Sequence, residues 1–221
     1  MSQAAVEIET GPEPKAAVIW LHGLGADGHD FEPIVPELVR PGERALRFIF
    51  PHAPVRPVTL NSGYPMRAWY DIIAIDRRTR EDEAGIRASQ ALVEEFIRRE
   101  HERGIASGQI VLAGFSQGGA MAIFGGLRHA QPLAGIVGLS CYLLLSDRLL
   151  PERSGANVRT PIFLAHGTQD QVVLPFLGEE ARRALSGGGH EVEWHTYPLP
   201  HSVSQQEVAD LGAWLRRVLP P

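Results

Sequence analysis

The sequence predicts an α/β protein with a mostly parallel central sheet and helices on both of its faces. Three observations carry this. Short apolar runs alternate with helical patterns along the chain. Several of the runs are almost wholly apolar, as strands covered on both faces are. The length, 221 residues, suits one large domain spanning 1–221.

The expected strands are "AAVIWL" (16–21), "ALRFIF" (45–50), "RAWYDI" (67–72), "QIVLAG" (109–114), "AGIVGLS" (134–140), "PIFLAHG" (161–167) and "EVEWHTYP" (191–198). The last alternates, with Val192 and Trp194 opposed to Glu191, Glu193 and His195, which suits a strand near a sheet edge. The clearest helix is 83–103. Ile86, Leu92, Val93, Phe96 and Ile97 form its apolar stripe, and Gly104 stops it. Further helices are expected at 29–40, 117–130, 174–186 and 203–219. Residues 51–66, "PHAPVRPVTLNSGYPM", carry four prolines and no strand or helix period. This segment reads as an ordered loop that either borders a pocket or runs over the surface.

Composition narrows the function. Lys and Arg number 21 against 26 Asp and Glu, a net charge of −5, so nothing draws the chain to nucleic acid or an anionic membrane. The one cysteine, Cys141, rules out an internal disulfide or a cysteine-rich metal site. No signal-peptide pattern and no membrane-spanning apolar run is visible, so the expected setting is the cytoplasm, without membrane insertion.

Gly114-Phe115-Ser116-Gln117-Gly118 matches G-x-S-x-G, after a buried-strand pattern and before a helical one. That context makes Ser116 a candidate nucleophile on a sharp strand-to-helix turn, where flanking side chains would clash. The helix start favours negative charge developing beside it. A serine hydroxyl needs a base, and at such elbows the chain order is serine, acid, histidine. Four histidines after Ser116 are weighed. His129 lies in an expected helix, His166 ends a strand as a structural donor, and His195 sits mid-strand. His201 falls in a loop at the expected sheet edge and is the candidate base. Asp170, three residues past a strand and before His201, is the candidate acid; its rival Asp147 reads as a cap or solvated residue.

Acyl transfer also needs donors for the oxyanion. The backbone N–H of Gln117 is one candidate, and the N–H of Leu24 in "LHGLGADG" (21–28) is the other. The glycines there also fit a dinucleotide loop by spacing, but no acidic residue follows about 20 positions on after a second strand. No P-loop exists.

"LHGLGADG", "PMRAWYDI", "EDEAGI", "GFSQGGAMA", "HGTQDQVV" and "HSV" together resemble the small carboxylesterase and acyl-protein thioesterase family of α/β-hydrolases, from about residue 15 to 215. The resemblance implies the α/β-hydrolase fold and a triad on Ser116, Asp170 and His201, with oxyanion donors at Leu24 and Gln117. It further implies that Ile73 and Val172 line an acyl pocket. The expected activity is hydrolysis of carboxylic esters, and of thioesters, of short-to-medium acyl chains. Rival readings are a lysophospholipase-like or acyl-protein thioesterase activity on longer chains, and a non-catalytic binding module. No cofactor or metal is required, and a homodimer is left open. The sequence departs from the family pattern at Pro200, where members commonly have glycine before the histidine, and at Leu174, which separates "VV" from Pro175. The short connection between strands 134–140 and 161–167 leaves no room for a large lid domain, so an open site without interfacial activation is expected.

Overall fold

The computed structural model describes residues 4–40, 42–73 and 81–219. In chain order the strands and helices are β1 (Ala5–Glu9), β2 (Ala16–Leu21), α1 (Val35–Leu38), β3 (Leu46–Pro51), β4 (Val55–Val58), β5 (Tyr64–Arg67), α2 (Glu83–Glu102), β6 (Ile110–Phe115), α3 (Gln117–Gly126), β7 (Gly135–Leu139), α4 (Leu149–Glu152), β8 (Ile162–Gly167), α5 (Pro175–Gly187), β9 (Val192–Tyr197) and α6 (Gln205–Val218). Seven strands form the central sheet in the order β1-β3-β2-β6-β7-β8-β9. Only β1 runs antiparallel, against β3; every other neighbouring pair is parallel.

Alternation along β2 shows how the sheet divides the core. Ala17, Ile19 and Leu21 join the layer under α2, α3 and α5, while Ala16, Val18 and Trp20 join the layer under α1 and α6. Chain order and sheet order part company at β2 and β6. The chain leaves β2 for β3 on one side, then returns to lay β6 on the other. Register pairs Leu21 with Gly114 and Phe115 with Leu139, so β2, β6 and β7 end at one level. Loops leaving these ends meet at a topological switch point, where open α/β sheets bind ligands.

Several expectations need correction. The run 67–72 is not a strand: only Arg67 belongs to one, and Ala68, Trp69, Tyr70 and Ile72 are buried without regular structure. Their apolar character reflects burial, not a ladder; the Trp69 N–H, for example, bonds the Gln117 side chain. The 51–66 segment instead holds the hairpin of β4 and β5, in which Pro57 faces Pro65. Two residues without N–H groups fit opposite each other at a non-hydrogen-bonded position. Finally, β1 was not expected, and 29–40 contains only a 3₁₀ turn at Glu32–Ile34 and the single turn of α1, with Pro33 and Pro36 limiting helix growth. Helix α3 also ends earlier than the expected 130, at Gly126.

Packing of α3 against the sheet accounts for its glycines. A Cβ on Gly118 would lie 2.1 Å from the Leu21 carbonyl oxygen, and one on Gly114 would lie 2.3 Å from the Gly118 carbonyl carbon. Both neighbours are backbone and cannot turn aside. Gly118→Ala is therefore expected to destabilise the fold by about 3 kcal/mol or more, at the severe end for point substitutions. Chemical denaturation checks this; an unchanged midpoint would refute the close approach.

Candidate active site

Ser116 sits between β6 and α3 with φ 55° and ψ −119°, a conformation that L-residues rarely adopt. The surroundings hold it there. Its N–H donates to the Leu139 carbonyl at 2.8 Å, and its carbonyl accepts the Ala120 N–H at 3.1 Å. Such local strain persists only where the neighbouring structure over-determines it. Ser116 is the N-cap residue of α3, and the first-turn N–H groups of a helix favour negative charge at that end.

Asp170 and His201 meet directly. His201 Nδ1 donates to Asp170 Oδ2 at 2.6 Å, and the Asp170 side chain is fully buried. The other carboxylate oxygen, Oδ1, accepts the N–H groups of Val172 and Val173 at 2.8 and 2.9 Å. His166 supports this turn: its Nε2 donates to the Val173 carbonyl at 2.7 Å and lies 3.5 Å from Asp170 Oδ2. Burial pushes the His166 pKa down. The sequence reading of His166 as a structural donor agrees with this. Gly167 lets β8 touch the histidine loop, since a Cβ there would lie 2.4 Å from the Leu199 oxygen and 2.6 Å from the Pro200 oxygen. The loop closes with proline in place: the Pro200 carbonyl accepts the Ser202 N–H at 2.8 Å. The His201 ring packs on Phe115, the residue before Ser116, with centroids 4.7 Å apart.

The His201 loop runs into α6, whose first turn carries Glu207. Its N–H is capped by Ser204 Oγ at 3.2 Å, but neither carboxylate oxygen has a hydrogen-bond partner among the described residues. Burial raises its pKa to about 7; the charge of Asp210 adds to this, and the nearby Ser204 amide opposes it without making a full bond. The folded state thus holds a proton that the unfolded chain releases at its ordinary carboxyl pKa of 4.5. This contribution to stability is complete below 4.5, shrinks as pH rises, and is gone above about 7. Glu207→Gln is expected to match the native protein near pH 4 and exceed it by about 3 kcal/mol at pH 8. Thermal melts at the two pH values test the sign, and an advantage confined to acid would contradict it.

The loop that carries Leu24 packs against the serine elbow. A Cβ on Gly23 would lie 3.5 Å from the Ser116 Cβ, so the 22–25 backbone abuts the serine. Leu24 is half-buried in that loop, and Gly25, at φ 78°, donates its N–H to the Arg67 carbonyl at 2.9 Å. The Gln117 side chain makes a clamp that sequence reasoning missed. Its Oε1 accepts the Trp69 N–H and its Nε2 donates to the Tyr70 carbonyl, both at 2.8 Å. Trp69 is tied further: its indole Nε1 donates to the His22 carbonyl at 2.9 Å, and its own carbonyl accepts from Ser89 Oγ. Ile73 is half-buried at the end of this segment. Val172 is 64% exposed beside Asp170, to which its backbone N–H is bonded. Asp147, the rejected acid, is exposed in a 3₁₀ turn.

A serine, a histidine and a carboxylate are joined side chain to side chain at the opposite edge of the sheet. Ser107 Oγ lies 3.1 Å from His129 Nε2, and His129 Nδ1 lies 2.8 Å from Glu94 Oε2. There the hydroxyl is 2% exposed and shared with His101 and Gln131, so it cannot reach a substrate. Its bonds join α2 to the turns before β6 and after α3. Among the described residues no group of three or more His, Cys, Asp or Glu is arranged to hold a metal ion, and no helix is long and apolar enough to cross a membrane.

Known proteins share this architecture. The phospholipase/carboxylesterase family profile matches residues 2–219. Acyl-protein thioesterase 1 of Neurospora crassa is 45% identical over 215 residues, 93% of this chain and 87% of the relative. Acyl-protein thioesterase 1 of Emericella nidulans is 40% identical over 233 residues, covering 100% of this chain and 97% of the relative. Among solved structures, Zea mays acyl-protein thioesterase 2 superposes with a TM-score of 0.86 at 27% identity, covering 98% of this chain and 99% of the other. A match along nearly the whole length, on a fold that ends its central strands at one serine elbow, places the chain in the phospholipase/carboxylesterase family of α/β-hydrolases.

Proposed function

We propose that this chain, acting as a single domain, hydrolyses carboxylic esters and thioesters of short-to-medium acyl chains through Ser116, His201 and Asp170. The observation that carries this is the 2.6 Å bond between His201 Nδ1 and the buried Asp170 carboxylate, on the histidine packed against the serine elbow. That bond fixes the imidazole tautomer with Nε2 free to accept a proton. Ser116 Oγ attacks the acyl carbon while its proton passes to His201 Nε2. The N–H groups of Leu24 and Gln117 hold the oxyanion. The bond to the alcohol or thiol breaks, and the leaving group takes the proton from Nε2. Water then attacks the acyl-enzyme, gives its proton to Nε2, and the carboxylic acid departs as Ser116 recovers its proton. No step draws on a metal or cofactor.

A second reading, thioester cleavage on acylated proteins, is favoured by the relatives' names and by apolar side chains exposed beside the acid turn, Val172, Leu174 and Phe176. Nitrophenyl esters from acetate to palmitate, with one thioester, separate the two by where kcat/KM peaks. In the same series Ile73→Ala and Val172→Ala are expected to lower kcat/KM for the longest good substrate about tenfold each, and to leave acetate unchanged. Equal losses on acetate would remove both side chains from the acyl pocket. A protein that turns over no member of the series is not the enzyme proposed.

A further inference from the structure

His22 is buried in the first loop of the site, 2% exposed, and both of its ring nitrogens are in use. The Ala53 N–H donates to Nε2 at 3.0 Å, so Nε2 carries no proton. The ring proton is therefore on Nδ1, which donates to the Gly23 carbonyl at 2.7 Å. Burial agrees with the neutral form, holding the pKa down to about 4. The Gly23 carbonyl belongs to the same rigid peptide unit as the Leu24 N–H. In a trans peptide these two groups point in opposite directions, and the described residues contain no cis bond. Whatever holds the Gly23 oxygen thereby aims the Leu24 N–H.

This unit needs holding. Glycine before it leaves rotation of the peptide nearly free. The units on either side have their own anchors: Trp69 Nε1 on the His22 carbonyl, and the Gly25 N–H on the Arg67 carbonyl, both at 2.9 Å. For the middle unit the bonds are that from His22 and a longer one from the Ala26 N–H at 3.3 Å. A donor that swings away costs an acyl-transfer enzyme about 10²–10³ in kcat.

We propose that His22 is a positioning residue for acyl transfer, its Nδ1–H holding the Gly23 carbonyl so that the Leu24 N–H meets the oxyanion. This rests on the function proposed above. Two substitutions separate its anchoring bond from its aiming bond. In His22→Asn the amide nitrogen takes the place of Nδ1 and holds Gly23, while the Ala53 N–H loses its acceptor. In His22→Gln the longer side chain reaches towards Ala53 and leaves Gly23 unheld.

Wild type and Ser116→Ala are assayed first on nitrophenyl acetate, then both His22 variants below their melting temperatures. His22→Gln is expected to lose about 10² in kcat with KM nearly unchanged. It should also bind a trifluoromethyl ketone, which forms an oxyanion adduct on the serine, more weakly by a similar factor. His22→Asn should keep kcat within about tenfold of wild type even where its melting temperature falls further. Equal kcat losses, the reverse order, or unchanged ketone affinity in His22→Gln overturn the assignment while leaving the serine mechanism standing. A wild-type activity that is absent, or that survives Ser116→Ala, overturns both. If one variant does not fold, kcat and ketone affinity of the other decide: wild-type values in Gln, or a 10²-fold loss in Asn, refute the assignment.

Discussion

Ser116→Ala is expected to abolish ester turnover, with kcat falling about 10⁶-fold, the loss seen when a hydrolase of this mechanism is stripped of its nucleophile. The fold should survive, because the backbone bonds of residue 116 to Leu139 and Ala120 do not involve the hydroxyl. Alanine keeps a Cβ and so keeps the strain of φ 55°. Ser116→Gly removes it, and should be as inactive as the alanine variant yet more stable than wild type by about 1–3 kcal/mol. For a chain of this size that raises the melting temperature by several degrees. Activity assays, melts and labelling by a fluorophosphonate, located by mass spectrometry, test these together. Substantial turnover in either variant, or label at Ser107, would move the nucleophile elsewhere; an inactive glycine variant that melts no higher would deny the strain.

Asp170→Asn is expected to cost about 10⁴ in kcat with little change in fold. The bonds around Asp170 say why. One oxygen accepts two backbone N–H groups, from Val172 and Val173, and the other faces His201 Nδ1. An asparagine keeps its oxygen on the two N–H groups, since its NH₂ would clash with them as donor against donor. The NH₂ then faces His201 Nδ1, which can no longer carry a proton. The imidazole proton moves to Nε2, the nitrogen that must accept from Ser116, and the base is lost. Steady-state rates with a circular-dichroism check on folding decide this. A variant within tenfold of wild type removes Asp170 from the mechanism.

The proposed triad could be picked out in the sequence because each candidate couples an uncommon residue choice to a place in the strand pattern. Ser116 lies within G-x-S-x-G at a strand end, Asp170 and His201 fall just past strands β8 and β9, and the chain order is the expected one. Parallel strands put such loops on one edge whatever their sequence separation. Contacts that depend on where a loop folds back were not legible. Gln117 could be chosen for its N–H, which the elbow implies, but its side-chain clamp on Trp69 and Tyr70 needs a segment 48 and 47 residues away. The 67–72 run misled for the same reason: a buried irregular stretch and a buried strand share one composition. In β1, Val6 and Ile8 alternate with Glu7 and Glu9 over only five residues, a weak signal until β3 supplies its partner.

By itself, then, the sequence determined the fold class and the glycine-flanked serine at a strand end, and it singled out the three side chains proposed to react. Hydrophobic period, glycine and chain order are local properties that survive without coordinates. Only the tertiary structure decided which groups hold those residues in place. His22 against Gly23, Gln117 against Trp69, and Val172 and Val173 against Asp170 are hydrogen bonds whose existence depends on angles and distances of an ångström or less. No residue pattern records those, because many sequences with the same pattern would place the same donors out of reach.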